Sequence, residues 1–283
     1  MNTQKILAVL FLFIPAILVA GCKKHSYDSP SGYDFNAARI TNMKHNLDEI
    51  SGICFTTADE KSVNAIEDEH GKMYTIDLEN GEPVSYKFSS RADYEDLAFW
   101  NNTFFVLSSN GHITRYSRPS NGADPSDVVI LDTLLPAAEY EGMAVLKDSL
   151  FVLAKVDKNF DQHSTMRIYR FIIGPGAGLS AAGIVDAVVP EQKKEGKNKA
   201  VKFHPSCLAK NPADNNWYVI SSINKQLFIF DDHFNFLQII DLDPSLFRQP
   251  EGLTFNSKGD MLVSNEANGG TATILYFKYS GKK

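Results

Sequence analysis

From residue 50 onward the chain alternates short apolar runs with polar punctuation. Residues 63–66, 104–109, 150–153, 217–220 and 261–264 are rich in Val, Ile, Leu, Phe, Tyr and Trp, and Gly, Asn, Asp and Ser separate them from partner runs such as 73–76, 113–116, 226–230 and 273–277. Short β-branched and aromatic runs bounded by turn residues predict strands joined by tight turns. A further strand of the same kind is expected at 84–88, 128–131 and 236–240.

Each group opens on a copy of one motif. Gln249-Pro250-Glu251-Gly252-Leu253-Thr254-Phe255 is the fullest, and Tyr94-Glu95-Asp96-Leu97-Ala98-Phe99 and Tyr140-Glu141-Gly142-Met143-Ala144-Val145 are clear relatives. Ile50-Ser51-Gly52-Ile53-Cys54-Phe55 and Pro205-Ser206-Cys207-Leu208-Ala209-Lys210 are weaker ones. Aligned on the second residue they run Ser51, Glu95, Glu141, Ser206 and Glu251, spaced 44, 46, 65 and 45 apart. Four strands per repeat of this length are the signature of a propeller blade. The motif is then the innermost strand, lining the axis. The expected fold is an all-β, five-bladed β-propeller of four-stranded antiparallel blades, with six blades the alternative. The long third gap, with its surplus between Val156 and Phe203, is read as an elaborated outer hairpin and loop. The last copy has too few residues after it for a fourth strand, and residues 37–43 precede the first copy without a partner. Pairing the two closes the ring and removes two open edges.

Composition narrows the function. The chain has 283 residues, 43% of them hydrophobic, enough for one large domain. Its formal charge is −6, which becomes −7 without Lys5, the one charged residue of 1–21. The basic excess expected of a nucleic-acid binder is missing. Lys5 and the apolar run from Ile6 to Val19 read as a signal peptide over 1–21. Val19-Ala20-Gly21-Cys22 resembles a bacterial lipoprotein signal box, with an ordinary secretory peptide the alternative. The resemblance implies a lipid on Cys22, attachment to a membrane of the cell envelope, and a flexible tether over 22–35 ahead of the domain at 36–283. Lys23, where Asp would signal inner-membrane retention in many bacteria, favours the outer membrane. Cys54 and Cys207 fall in non-neighbouring repeats and are read as buried free thiols rather than a pair.

The stretches 47–52, 94–98, 140–144, 250–255 and 264–267 resemble the SdiA-regulated, YjiK-like β-propeller family, over about residues 36–280. Members are exported or membrane-tethered bacterial propellers. Pro-Glu-Gly-Leu is shared with strictosidine-synthase-like, gluconolactonase-like and phytase-like propellers, in several of which an axial glutamate binds calcium. The resemblance makes Glu251 the first ligand candidate, then Glu95 and Glu141, with Ser51 and Ser206 as departures. Independently, glutamates converging on a narrow axis repel unless solvated, protonated or bridged by a cation, and calcium suits oxygen-rich sites. The turn after the second strand adds Asp68, Glu69, Asn110, Asp157, Asn224, Asn265 and Glu266. Glu49, Ser51, Asp96, His204 and Ser206 are expected around the axial mouth. The competing reading has each glutamate bond backbone N–H groups of the next blade and lock the ring.

His204 and Ser206 share a face of one predicted strand, yet there is no Gly-x-Ser-x-Gly elbow. The remaining histidines match no zinc spacing. The expectation is a monomeric binding or scaffold module with a cation, calcium, and an unidentified small-molecule or envelope ligand at the mouth. The rival is a calcium-dependent hydrolase of the lactonase, esterase or phytase kind.

Overall fold

The computed structural model describes residues 26–56, 60–156, 164–194, 197–199 and 203–281. The signal segment, Cys22 and Asp157 lie outside them. Strand β1 (Arg39–Asn42) comes first in the chain and belongs to the last blade. Blade one is β2 (Ile50–Cys54), β3 (Ser62–Glu67), β4 (Lys72–Asp77) and β5 (Pro83–Lys87). Blade two is β6 (Tyr94–Trp100), β7 (Thr103–Ser108), β8 (Ile113–Ser117) and β9 (Val129–Leu131). Blade three is β10 (Glu139–Leu146), β11 (Ser149–Val156), β12 (Thr165–Ile173) and β13 (Leu179–Val188). A small hairpin, β14 (Gln192–Lys194) and β15 (Lys197–Lys199), follows. Blade four is β16 (Cys207–Lys210), β17 (Trp217–Ser221), β18 (Gln226–Phe230) and β19 (Phe236–Asp241). Blade five is β20 (Pro250–Phe255), β21 (Met261–Asn265) and β22 (Thr273–Phe277), completed by β1 through Arg39↔Tyr276 to Asn42↔Thr273. The five-bladed propeller and its N-terminal closure are as the repeats predict. The surplus of blade three is the long β12–β13 pair and the extra hairpin.

Burial grades outward from the axis. Strand β7 is buried along nearly its whole length, whereas the outermost strands β5 and β9 are largely exposed. A strand covered on both faces reads as a continuous apolar run, which is why Phe104–Leu107 and Leu150–Leu153 carry no alternation. Apolar clusters fill all five blade junctions. Ile66, Met73, Phe104 and Val106 lie between blades one and two, and Leu227, Ile229, Val263 and Leu275 between four and five.

Within the stretch expected to be a flexible tether, 22–35, the described residues Tyr33 and Phe35 are docked on the domain. Tyr33 and Phe35 are 7% and 1% exposed and join the junction of blades four and five, where Phe35 packs on Phe247 and Phe277. The Tyr33 hydroxyl donates to the Gly259 carbonyl at 2.6 Å and accepts from Asn211 Nδ2 at 2.9 Å. Two aromatic side chains in a polar stretch offered enough apolar area to dock it. Removing that hydroxyl strands a buried donor and a buried acceptor, so Tyr33→Phe is expected to cost about 1–2 kcal/mol in urea unfolding.

Candidate functional site at the axis

Every inner strand carries a β-bulge at the motif's second residue. Tyr94 pairs with Ser108 and Asp96 with Leu107, so Glu95 is the extra residue. Glu141 and Glu251 are extra in the same way, and the register of β2 shifts between Ile50 and Ile53, around Ser51. In blade four the Ser206 N–H donates to the carbonyl of Ile220, the residue already paired with Cys207. A bulge re-aims one side chain out of the pleat. Here it turns the three glutamates and two serines onto the axis.

They line a well of about 210 Å³ together with Asp68, Asp93, Lys155, Ser222, Ile223 and Glu266. The opposite end of the axis is a cavity of about 150 Å³ walled chiefly by apolar side chains such as Leu97, Met143 and Leu253. The axis is thus acidic at one end, and no carboxylate lines the other.

Lys155, from β11, is the well's internal cation. Its Nζ donates to Glu141 Oε1 at 2.5 Å, with the two side chains 28% and 10% exposed. Its pKa is raised: burial opposes this, but the Glu141 bond and the charges of Glu141, Glu95 and Glu251 prevail. The carboxyls are crowded upward. Burial, then Glu141 and Asp93, pushes Glu95 up to about 9. Burial, then Glu251 and Asp68, pushes Glu266 up to about 8. Glu141 rises to about 7 by burial, held back by Lys155, and Glu251 is raised by burial against hydrogen bonds from Ser222 and Gln249. Asp68, at about 7, is raised by burial and by Glu49, whose carboxyl shares a hydrogen bond with it. At neutral pH the well therefore holds protons that free carboxylates would have lost.

The structure sorts the expected residues. Glu95, Glu141, Glu251, Glu266, Ser51 and Ser206 meet in the well. Glu49 stands at its rim beside Asp68. Asn265 does not belong to it: its side chain is buried and its Nδ2 donates to the Leu246 carbonyl and Thr273 Oγ1, tying a loop to β22. Asp96 is also elsewhere. Standing one residue past the bulge, it is 2% exposed at the junction of blades two and three, where its oxygens accept Leu97 N–H at 2.8 Å and Met143 N–H at 2.7 Å. The backbone latch expected of the glutamates is made by this aspartate. His204 precedes β16, which begins at Cys207, and is not in the well. The Ser206 hydroxyl accepts Ser222 N–H at 3.1 Å instead. Lys155, Asp93, Ser222 and Ile223 are the lining residues the sequence reading missed. A lysine inside Leu153-Ala154-Lys155-Val156, at the end of a buried run, was the signal for the first.

A calcium cage does not form from these donors as arranged. Among the described residues no three of His, Cys, Asp and Glu are grouped to hold a metal ion, and an ammonium already occupies a Glu141 oxygen. Cys54 and Cys207 are free and buried, and burial raises both thiols.

No protein family and no curated protein matches this chain. Solved structures share its architecture. A luciferin-regenerating enzyme is 7% identical with a TM-score of 0.55, over 87% of this chain and 97% of that one. A glutaminyl cyclase of Myxococcus xanthus is 13% identical with a TM-score of 0.54, over 86% and 96%. A calcium-binding protein, regucalcin, of Agrobacterium tumefaciens is 11% identical with a TM-score of 0.51, over 86% and 93%. At such identities the likeness establishes a β-propeller whose neighbours include enzymes and a calcium-binding protein, and the chemistry rests on this chain's own residues.

Proposed function

We propose that the chain is a monomeric binding module of the cell envelope, an SdiA-regulated-type propeller anchored by a lipid on Cys22, whose axial well takes a positively charged group. The observation that carries this reading is that Asp68, Asp93, Glu95, Glu141, Glu251 and Glu266 share one cavity with a single ammonium. Calcium is the ion suggested by the family resemblance and by the regucalcin neighbour. It asks for six to eight oxygens at metal distance, and the donors do not stand that way. An organic ammonium asks less. Its N–H groups are met singly by carboxyls and by the hydroxyls of Ser51, Ser206 and Ser222. The calcium-dependent hydrolase reading needs the cage these donors do not form as arranged.

Thermal unfolding with added putrescine or calcium tests the proposal. Putrescine is expected to raise the Tm of the wild type and not that of Glu251→Gln. Calcium acting in its place would make the guest a metal, and no shift with either would overturn the reading. Binding a cation favours the ionised carboxyls. Because Glu95, Glu266 and Glu141 titrate at about 9, 8 and 7, affinity is expected to rise steadily from about pH 6 to about pH 9, with proton release on binding.

A further inference from the structure

The repeats expose a second cavity. The residue three past the motif position pairs across to the second strand as Ala98↔Phe105, Ala144↔Phe151, Ala209↔Tyr218 and Thr254↔Leu262 in blades two to five. In each case a large apolar side chain fills the junction with the next blade. In blade one the pair is Cys54↔Asn64. Asn64, 3% exposed, and its neighbour Thr75 put polar groups beside the Ile66, Met73, Phe104 and Val106 cluster of that junction, and next to them a groove of about 310 Å³ opens between blades one and two. It is larger than the axial well and lies at the lower end of the ~300–1,000 Å³ range of ligand clefts.

The groove's chemistry is opposite to that of the well. Arg118 lines it, its backbone fixed by an N–H bond to the Asn102 carbonyl at 2.8 Å. Its guanidinium has no hydrogen-bond or ion-pair partner among the described residues. No carboxylate is among the lining residues. Two hydroxyls face the same space. Thr75 Oγ1 accepts from Asn64 Nδ2 at 2.9 Å and keeps its own proton to donate. Tyr86 and Tyr116 share one hydrogen bond of 3.3 Å, which leaves the pair one O–H to spend, and Tyr86 is the member that lines the groove. Val84, exposed, supplies an apolar wall, with the fully buried Phe104 behind it.

We infer that this inter-blade groove is a binding site for a small organic carboxylate with an apolar or aromatic body, its carboxylate held by Arg118 and the Tyr86 and Thr75 hydroxyls. One guanidinium balances one negative charge, and its planar fork matches a carboxylate in two parallel bonds. The body lies along Val84 and the Tyr86 ring, beside Asn64, where the other blades place a large side chain of their own.

Calorimetric titration of the full chain tests this, with benzoate as probe and benzamide and inorganic phosphate as controls. Benzoate is expected to bind at millimolar concentration or below, and benzamide not. Arg118→Gln is expected to weaken benzoate by at least about tenfold, the loss of a charge-assisted pair. Asn64→Phe, which restores the residue type of the other blades, is expected to abolish binding while preserving the Tm. Should that variant not fold, Arg118→Gln alone still decides. Glu251→Gln is expected to leave benzoate binding untouched, which separates this site from the axial well. Absence of benzoate binding, equal binding of benzamide, preference for phosphate, or full binding by Arg118→Gln would each overturn the assignment.

Discussion

Asp96→Ala is expected to lower the unfolding free energy by about 4 kcal/mol, measured by urea denaturation with an unchanged m-value. The carboxyl accepts one N–H from its own blade and one from Met143 of the next, out of water's reach. Each buried amide left without an acceptor costs about 1–3 kcal/mol, and the void beside Gly52 adds roughly 1 more. Burial holds this carboxyl well above the usual carboxylate range, while the two N–H bonds pull it down. Asp96→Asn keeps the volume but turns one acceptor into a donor facing an N–H. It is expected to lose about 2 kcal/mol, between the two extremes. A loss below about 1 kcal/mol in Asp96→Ala would mean that water satisfies the seam and that the aspartate does not hold it.

Lys155→Met is expected to steepen the fall of stability with rising pH. Glu95, Glu266 and Glu141 titrate above their ordinary value of 4.5, so the folded chain keeps protons that the unfolded chain gives up. Their stabilising effect is present at acid pH and drains away as the pH climbs through about 9, by about 1.4 kcal/mol per pH unit for each proton retained. In the wild type Lys155 moderates this, because its charge persists throughout that window and favours ionised Glu141. Without it Glu141 has lost its ammonium, and further protons must be held for folding. The variant is expected to match the wild type within about 1 kcal/mol near pH 5 and to fall about 2–3 kcal/mol below it near pH 9, after allowance for partial solvent screening. Parallel stability profiles across that range would show that the ammonium does not neutralise the ring.

The ring itself was legible because the motif repeats and each copy is followed by the same order of apolar runs. The three glutamates were legible for the same reason, since equivalent bulges send equivalent side chains to one place. Asp96 was misread because the bulge changes the alternation. The residue after it does not face the mouth but enters the seam between blades. The clue was in the repeat: Gly52, Gly142 and Gly252 stand at that position in three other blades. A Cβ on Gly52 would lie 2.3 Å from Asp96 Oδ1, and one on Gly252 would lie 2.5 Å from the Ser51 carbonyl. A seam that tight admits a side chain only as part of its bonding. Lys155 could not be assigned to the well from the motif, because it comes from the second strand, and only the three-dimensional neighbour relation places it against Glu141.

The closing strand bears on how the molecule comes into being. β1 is among the first parts of the domain to be synthesised, and its strand partner among the described residues, β22, is among the last. A growing chain can pair strands within each blade as it emerges, but it carries an unsatisfied strand edge until synthesis is almost over. Contacts between the extremes of a chain make folding slow and leave intermediates open to association. A chain truncated before residue 273 would therefore leave β1 without its strand partner and the ring unable to shut.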